Sequence, residues 1–151
     1  MQDRKTENFL PLLFGGVGLA VIAAFFFPVL HFRGTDKALL GISSWAAVPL
    51  MTVLKLAVLA LAVAAAFLPQ LARLRAPIMV GAALMVFVPA LGALVAGVYP
   101  WSDVRAEIAT LSGQKQPWVD PGWGFVALGV ASLLLAGAAS RANREEPPLT
   151  R

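Results

Sequence analysis

Four long apolar runs, separated by short polar stretches, organise this chain. The first extends from Phe9 to about Leu30, the second roughly from Trp45 to Leu68, the third from Pro77 to Tyr99, and the fourth from about Gly122 to Ser140. Each approaches the length of about 20 residues that an α-helix needs to cross a hydrocarbon core about 30 Å thick. A helix satisfies its backbone polar groups within itself, which lipid requires. The pattern therefore predicts an all-α, integral membrane four-helix bundle forming a single domain.

Prolines punctuate the runs. Pro11, Pro77 and Pro121 suit first helical turns, where a missing N–H does no harm. The second run begins either with Ser43 or Ser44 as cap or at Pro49, and ends at Pro69. Pro89 lies inside the third run and is predicted to kink it. The first run is too long for a signal-peptide core, its flank mixes Asp3 and Glu7 with Arg4 and Lys5, and no small-residue cleavage site follows. It is expected to remain as a span. Residues 141–151 form a polar tail expected to be flexible.

Small residues recur at helical spacing, which lets helix backbones approach closely in lipid. The candidate contact faces are Gly16, Ala20 and Ala24; Ala60 and Ala64; Ala93 and Gly97; and Gly129 with Gly137. The halves do not repeat one another.

Composition agrees with the pattern. Of 151 residues, 59% are hydrophobic and 13% charged. That is about half the charge of an ordinary soluble domain. The mean hydropathy is +0.78. The net charge of +4 comes from scattered basic residues, not from a basic patch interleaved with aromatics, which argues against nucleic acid as a partner.

In a membrane protein the basic residues report topology. Arg4, Lys5, Arg73, Arg75, Arg141, Arg144 and Arg151 fall on one side; Arg33, Lys37, Arg105 and Lys115 fall on the other. The bias predicts cytoplasmic N- and C-termini. The layout resembles that of small bacterial four-span proteins in its aromatic–proline exit from the first span (FFFPVL, 25–30) and its proline–glycine entry to the last (DPGWG, 120–124). That resemblance implies the bacterial inner membrane.

On this topology the loops 31–44 and 100–121 face outward. They and their borders hold Trp45, Tyr99, Trp101, Trp118 and Trp123, which are all the tryptophans and the only tyrosine. Such a one-sided belt anchors a protein at one headgroup layer or offers a surface to a partner. Within the long loop, SDVRAEIATLSG (102–113) predicts a short amphipathic helix, with Val104, Ile108 and Leu111 on one face and Asp103 and Glu107 one turn apart. It is expected to lie over the outer ends of the spans, followed by an irregular return over 114–123.

Lys55 is the one charge inside a span. If its helix starts at Pro49, it lies six residues in, or about 9 Å along the axis. Its stem then lets the ammonium snorkel outward, or it pairs with Asp36, Asp103, Glu107 or Asp120. A buried lysine at mid-membrane costs about 3 kcal/mol or more, so it is also a candidate for substrate, headgroup or proton chemistry. With Arg33 it offers cationic groups for an anionic headgroup. His31, at the end of the first span, is expected to be structural; single-histidine ligation of a haem or pigment is its chemical alternative.

The chain has no cysteine and a single histidine, and none of its spans contains a carboxylate. No nucleophile–base set, metal cluster, dinucleotide or phosphate-loop motif is visible. The sequence therefore predicts no cofactor and points away from an enzyme. It favours an accessory or assembly subunit of a larger membrane complex. The alternatives are a small transporter or channel component acting as an oligomer, and a lipid- or quinone-binding membrane protein.

Overall fold

The computed structural model describes residues 9–33, 40–47, 49–98 and 118–145. Their order is α1 (Leu10–Phe26), β1 (Pro28–Arg33), β2 (Leu40–Ser43), a single turn α2 (Ser44–Ala47), α3 (Pro49–Phe67), a 3₁₀ segment (Pro69–Leu74), α4 (Arg75–Val98), β3 (Trp118–Pro121) and α5 (Trp123–Glu145). The body is an all-α bundle of four long helices. Among the described residues three stretches are long and apolar enough to cross a membrane: Pro49–Phe67, Pro69–Gly92 and Trp123–Arg144. The apolar helix α1 is shorter, at 17 residues.

The helices run alternately up and down. One end of the bundle carries the strands and is called the sheet end. The other carries Arg73, Arg75, Arg141 and Arg144 and is called the arginine end. Helix α5 packs between α1 and α4, α3 packs on α4, and α1 and α3 meet more sparsely.

The buried positions follow a common rhythm. They are Leu13, Gly16, Ala20 and Ala23 on α1; Thr52, Lys55, Leu59 and Ala62 on α3; Ala76, Met79, Ala83, Val86 and Ala90 on α4; and Leu128, Ala131, Leu135, Ala138 and Ala142 on α5. Alternating steps of three and four residues keep one stripe facing its neighbours when helices pack nearly antiparallel. The predicted face of α1 is the observed one, since Gly16, Ala20 and Ala24 are all buried. Gly16 is its closest approach. A Cβ there would stand 2.9 Å from Leu135 Cγ and 3.1 Å from the Ala131 carbonyl oxygen.

The predicted face of α3 is corrected. Ala60 is exposed, and the stripe through Thr52 and Lys55 faces inward instead. Polar groups in lipid turn toward the protein interior, and that preference outweighs the small-residue spacing. On α5, Gly129 has open space where a Cβ would stand, whereas a Cβ on Gly137 would meet Leu12 Cδ1 at 3.5 Å; buried alanines make the rest of the contact. Helix α4 continues through Pro89. The side chains of Ala93 and Gly97 lie outside the description.

The first span ends earlier than its hydropathy suggests. Phe27 is extended, with φ −99° and ψ 132°, because the ring of a following proline excludes the helical conformation from the residue before it. Pro28–Arg33 then becomes the central strand of a three-stranded antiparallel sheet ordered β2–β1–β3. Segments expected to be loop thus form a sheet. Leu30 pairs with Ile42 and Pro121, and His31 with Gly41 and Asp120. The return expected to be irregular holds β3. The predicted amphipathic helix at 102–113 lies outside the described residues. At the other end, α5 continues to Glu145, so residues 141–145 of the expected tail are helical.

Gly122 ties the sheet to the bundle. Its N–H donates to the Val29 carbonyl at 2.8 Å. A Cβ on Gly122 would collide with the Pro28 carbonyl oxygen, and one on Gly124 would stand 2.9 Å from the carbonyl oxygens of Phe27 and Pro28. The entry of α5 therefore rests directly on the exit of α1.

Candidate functional site

Lys55 is the polar centre of the bundle. It is 1% exposed, so the ammonium does not reach solvent by snorkelling. Helix α3 starts at Pro49, and the α2 turn lies within reach of the lysine stem. Nζ donates to Ser44 Oγ at 3.3 Å. Ser44 Oγ lies 3.1 Å from Thr52 Oγ1, and Thr52 Oγ1 donates to the Ser44 carbonyl at 3.0 Å. One proton arrangement satisfies all three contacts. Lys55 donates to Ser44, the Ser44 hydroxyl donates to Thr52, and the Thr52 hydroxyl donates to the Ser44 carbonyl. Ser44 and Thr52 are themselves buried. The cluster thus binds α2 to α3 and shields the ammonium from lipid.

Sequence reasoning missed these partners. The available signal was Thr52, three residues before Lys55 and hence on the same helix face. Asp36, Asp103 and Glu107 lie outside the described residues. Asp120 is described by its strand position only, opposite His31. His31 and Arg33 both sit in the central strand, away from the α3 stripe that carries Lys55. Among the described residues no group of three or more potential metal ligands occurs.

Two other buried or half-buried polar groups also fasten helices. Ser132 Oγ on α5 donates to the Ala83 carbonyl on α4 at 3.0 Å. Arg75 Nε donates to the Ala65 carbonyl at 2.8 Å, where the last turn of α3 leaves carbonyls without helical partners and carries partial negative charge.

The sheet end carries an aromatic shelf. Phe26 is 77% and Trp123 74% exposed. Phe25 and Trp45 lie at the same end, with ring centroids 5.5 Å apart. The contact of Gly122 and Gly124 with Phe27 and Pro28 fixes the two backbones that bear Phe26 and Trp123. Trp118 lies in β3, paired with Arg33; Tyr99 and Trp101 lie outside the described residues.

A groove of about 640 Å³ opens on the opposite half of the bundle, between α4 and α5. Val80, Leu84 and Phe87 line one wall, Ala136 lies on the other, and Ser140 and Asn143 stand at its arginine end.

No protein-family model, curated protein or solved structure matches this chain.

Proposed function

We propose that this small multi-span membrane protein is a non-catalytic accessory or assembly subunit of a larger membrane complex, and that it engages its partner through the aromatic shelf at the sheet end. The shelf is the observation that carries this reading. Phe26 and Trp123 are large, outward-facing and mounted on backbones held in contact. Rigid aromatic groups bury much area on binding and lose little side-chain freedom, as interaction hot spots require. The disposition of the polar groups supports the same reading: Lys55, Ser44, Thr52, Arg75 and Ser132 join helix to helix.

On this proposal the arginine end is cytoplasmic and the host membrane is a bacterial inner membrane. Purification of the tagged protein from native membranes in mild detergent tests the proposal. Stoichiometric recovery of a membrane partner is expected, with its loss in a Phe26→Ala/Trp123→Ala variant of unchanged helical content. Recovery of the protein alone, or a partner retained by that variant, contradicts it. Lipid binding is a second reading, favoured by the groove between α4 and α5.

A further inference from the structure

The groove lies in the half of the bundle away from the aromatic shelf, and its chemistry changes along its length. We infer that it holds one acyl chain of an anionic phospholipid, with the headgroup phosphate at the arginine end. On α4 the lining runs from Ala76 to Phe87, and on α5 from Asn143 back to Ser132. Each stretch covers about 16 Å at the helical rise. One leaflet of a hydrocarbon core about 30 Å thick is about 15 Å deep. The groove therefore matches a single leaflet, from the interface to the midplane.

Its inner end suits a methyl terminus. Ser132 is the polar residue there, and its hydroxyl is engaged by the Ala83 carbonyl. Alanines on α5 leave room where larger side chains would fill the space. Its outer end suits a headgroup. Ser140 offers a hydroxyl and Asn143 an amide. Arg144 follows Ser140 by one helical turn on α5, and Arg73 lies in the 3₁₀ segment that leads into α4. Both arginines are exposed and lie at the end of the bundle where Ser140 and Asn143 close the groove. Glu145 and Glu146 follow Arg144 in the sequence; against Arg73, Arg75, Arg141 and Arg144 they leave the charge at this end positive.

Charge also separates this occupant from a second copy of the chain. Two copies in one membrane share an orientation, so a pairing through this groove would bring their arginine ends together at the same depth. Like charges oppose that contact, whereas a phosphodiester neutralises it.

Native mass spectrometry of the full chain, released from detergent containing equal phosphatidylglycerol and phosphatidylcholine, tests the inference. Retention of phosphatidylglycerol at least several-fold above phosphatidylcholine is expected. Arg73→Gln/Arg144→Gln should erase that preference. Ala136→Phe, which fills the exposed groove with the arginines intact, should reduce retention of both lipids. Soluble glycerol phosphate should not displace the bound lipid. Equal retention of the two lipids by the unaltered protein overturns the inference, as does full retention by Ala136→Phe with native helical content. A bound second copy or protein at the groove in place of lipid overturns it as well.

Discussion

The Lys55 ammonium ends on the Ser44 hydroxyl, 3.3 Å away and inside the bundle. A residue that looks like a charge escaping to the membrane surface is thus part of a buried hydrogen-bonded cluster. This determines which substitutions the protein should tolerate.

Lys55→Met removes the buried charge at similar volume, and such replacements are often neutral or stabilising. Ser44→Ala keeps the lysine and takes away its acceptor. An unsatisfied buried group costs about 1–3 kcal/mol, more when charged. Ser44→Ala is therefore expected to lower unfolding free energy more than Lys55→Met, as measured by denaturant titration in micelles. The reverse order would show that the hydroxyl is not what holds the ammonium.

Gly122 and Gly124 seat α5 on the end of α1, so Gly122→Ala should destabilise the bundle. Overpacking of this kind costs about 1–3 kcal/mol, and here the obstacle is backbone. Gly129→Ala is the matched control, because nothing stands within 4 Å of a Cβ there. It should be neutral or stabilise by up to about 1 kcal/mol through helix propensity. Thermal unfolding of the two variants side by side checks the contrast; equal behaviour would remove the role assigned to Gly122.

The α1–α5 seam makes a similar prediction. Gly16→Ala must displace Leu135 or the Ala131 backbone, whereas Gly18→Ala meets open space. Loss of about 1–3 kcal/mol is expected at position 16 and none at position 18. Proteolysis rates in detergent would register the difference.

The chain has no cysteine, so an introduced thiol reports alone. Arg73→Cys and Asn143→Cys should react with a membrane-impermeant maleimide from the same side of the membrane, and Asp120→Cys from the other. On the proposed orientation, intact cells stripped of an outer membrane label only Asp120→Cys. Labelling of Arg73→Cys and Asn143→Cys from opposite sides would break the up-and-down topology.

Much of this architecture was legible because lipid imposes a simple rule. Pro49, Pro77 and Pro121 lie at or near the helix starts, and the runs behind them have spanning length. The end of the first span was not legible from hydropathy, since an apolar strand and an apolar helix score alike. Pro28 was the overlooked signal, together with the turn-forming residues Gly34, Thr35 and Asp36 between two short apolar stretches. The place of Lys55 six residues into α3 matches one of the two helix starts the sequence offered. Its direction depended on the α2 turn, which brings Ser44 to the lysine. The aromatic concentration was visible as composition, but its rigidity depends on the meeting of Gly122 and Gly124 with Phe27 and Pro28, which are far apart in the chain.

The most direct test of the subunit proposal places a photo-crosslinking amino acid at Trp123 in native membranes. Leu133 is the control, equally exposed on α5 but in the middle of the span. A discrete adduct with one membrane protein from position 123, absent from position 133, is the expected result. No protein adduct at position 123, or the same adducts from both positions, would contradict the account.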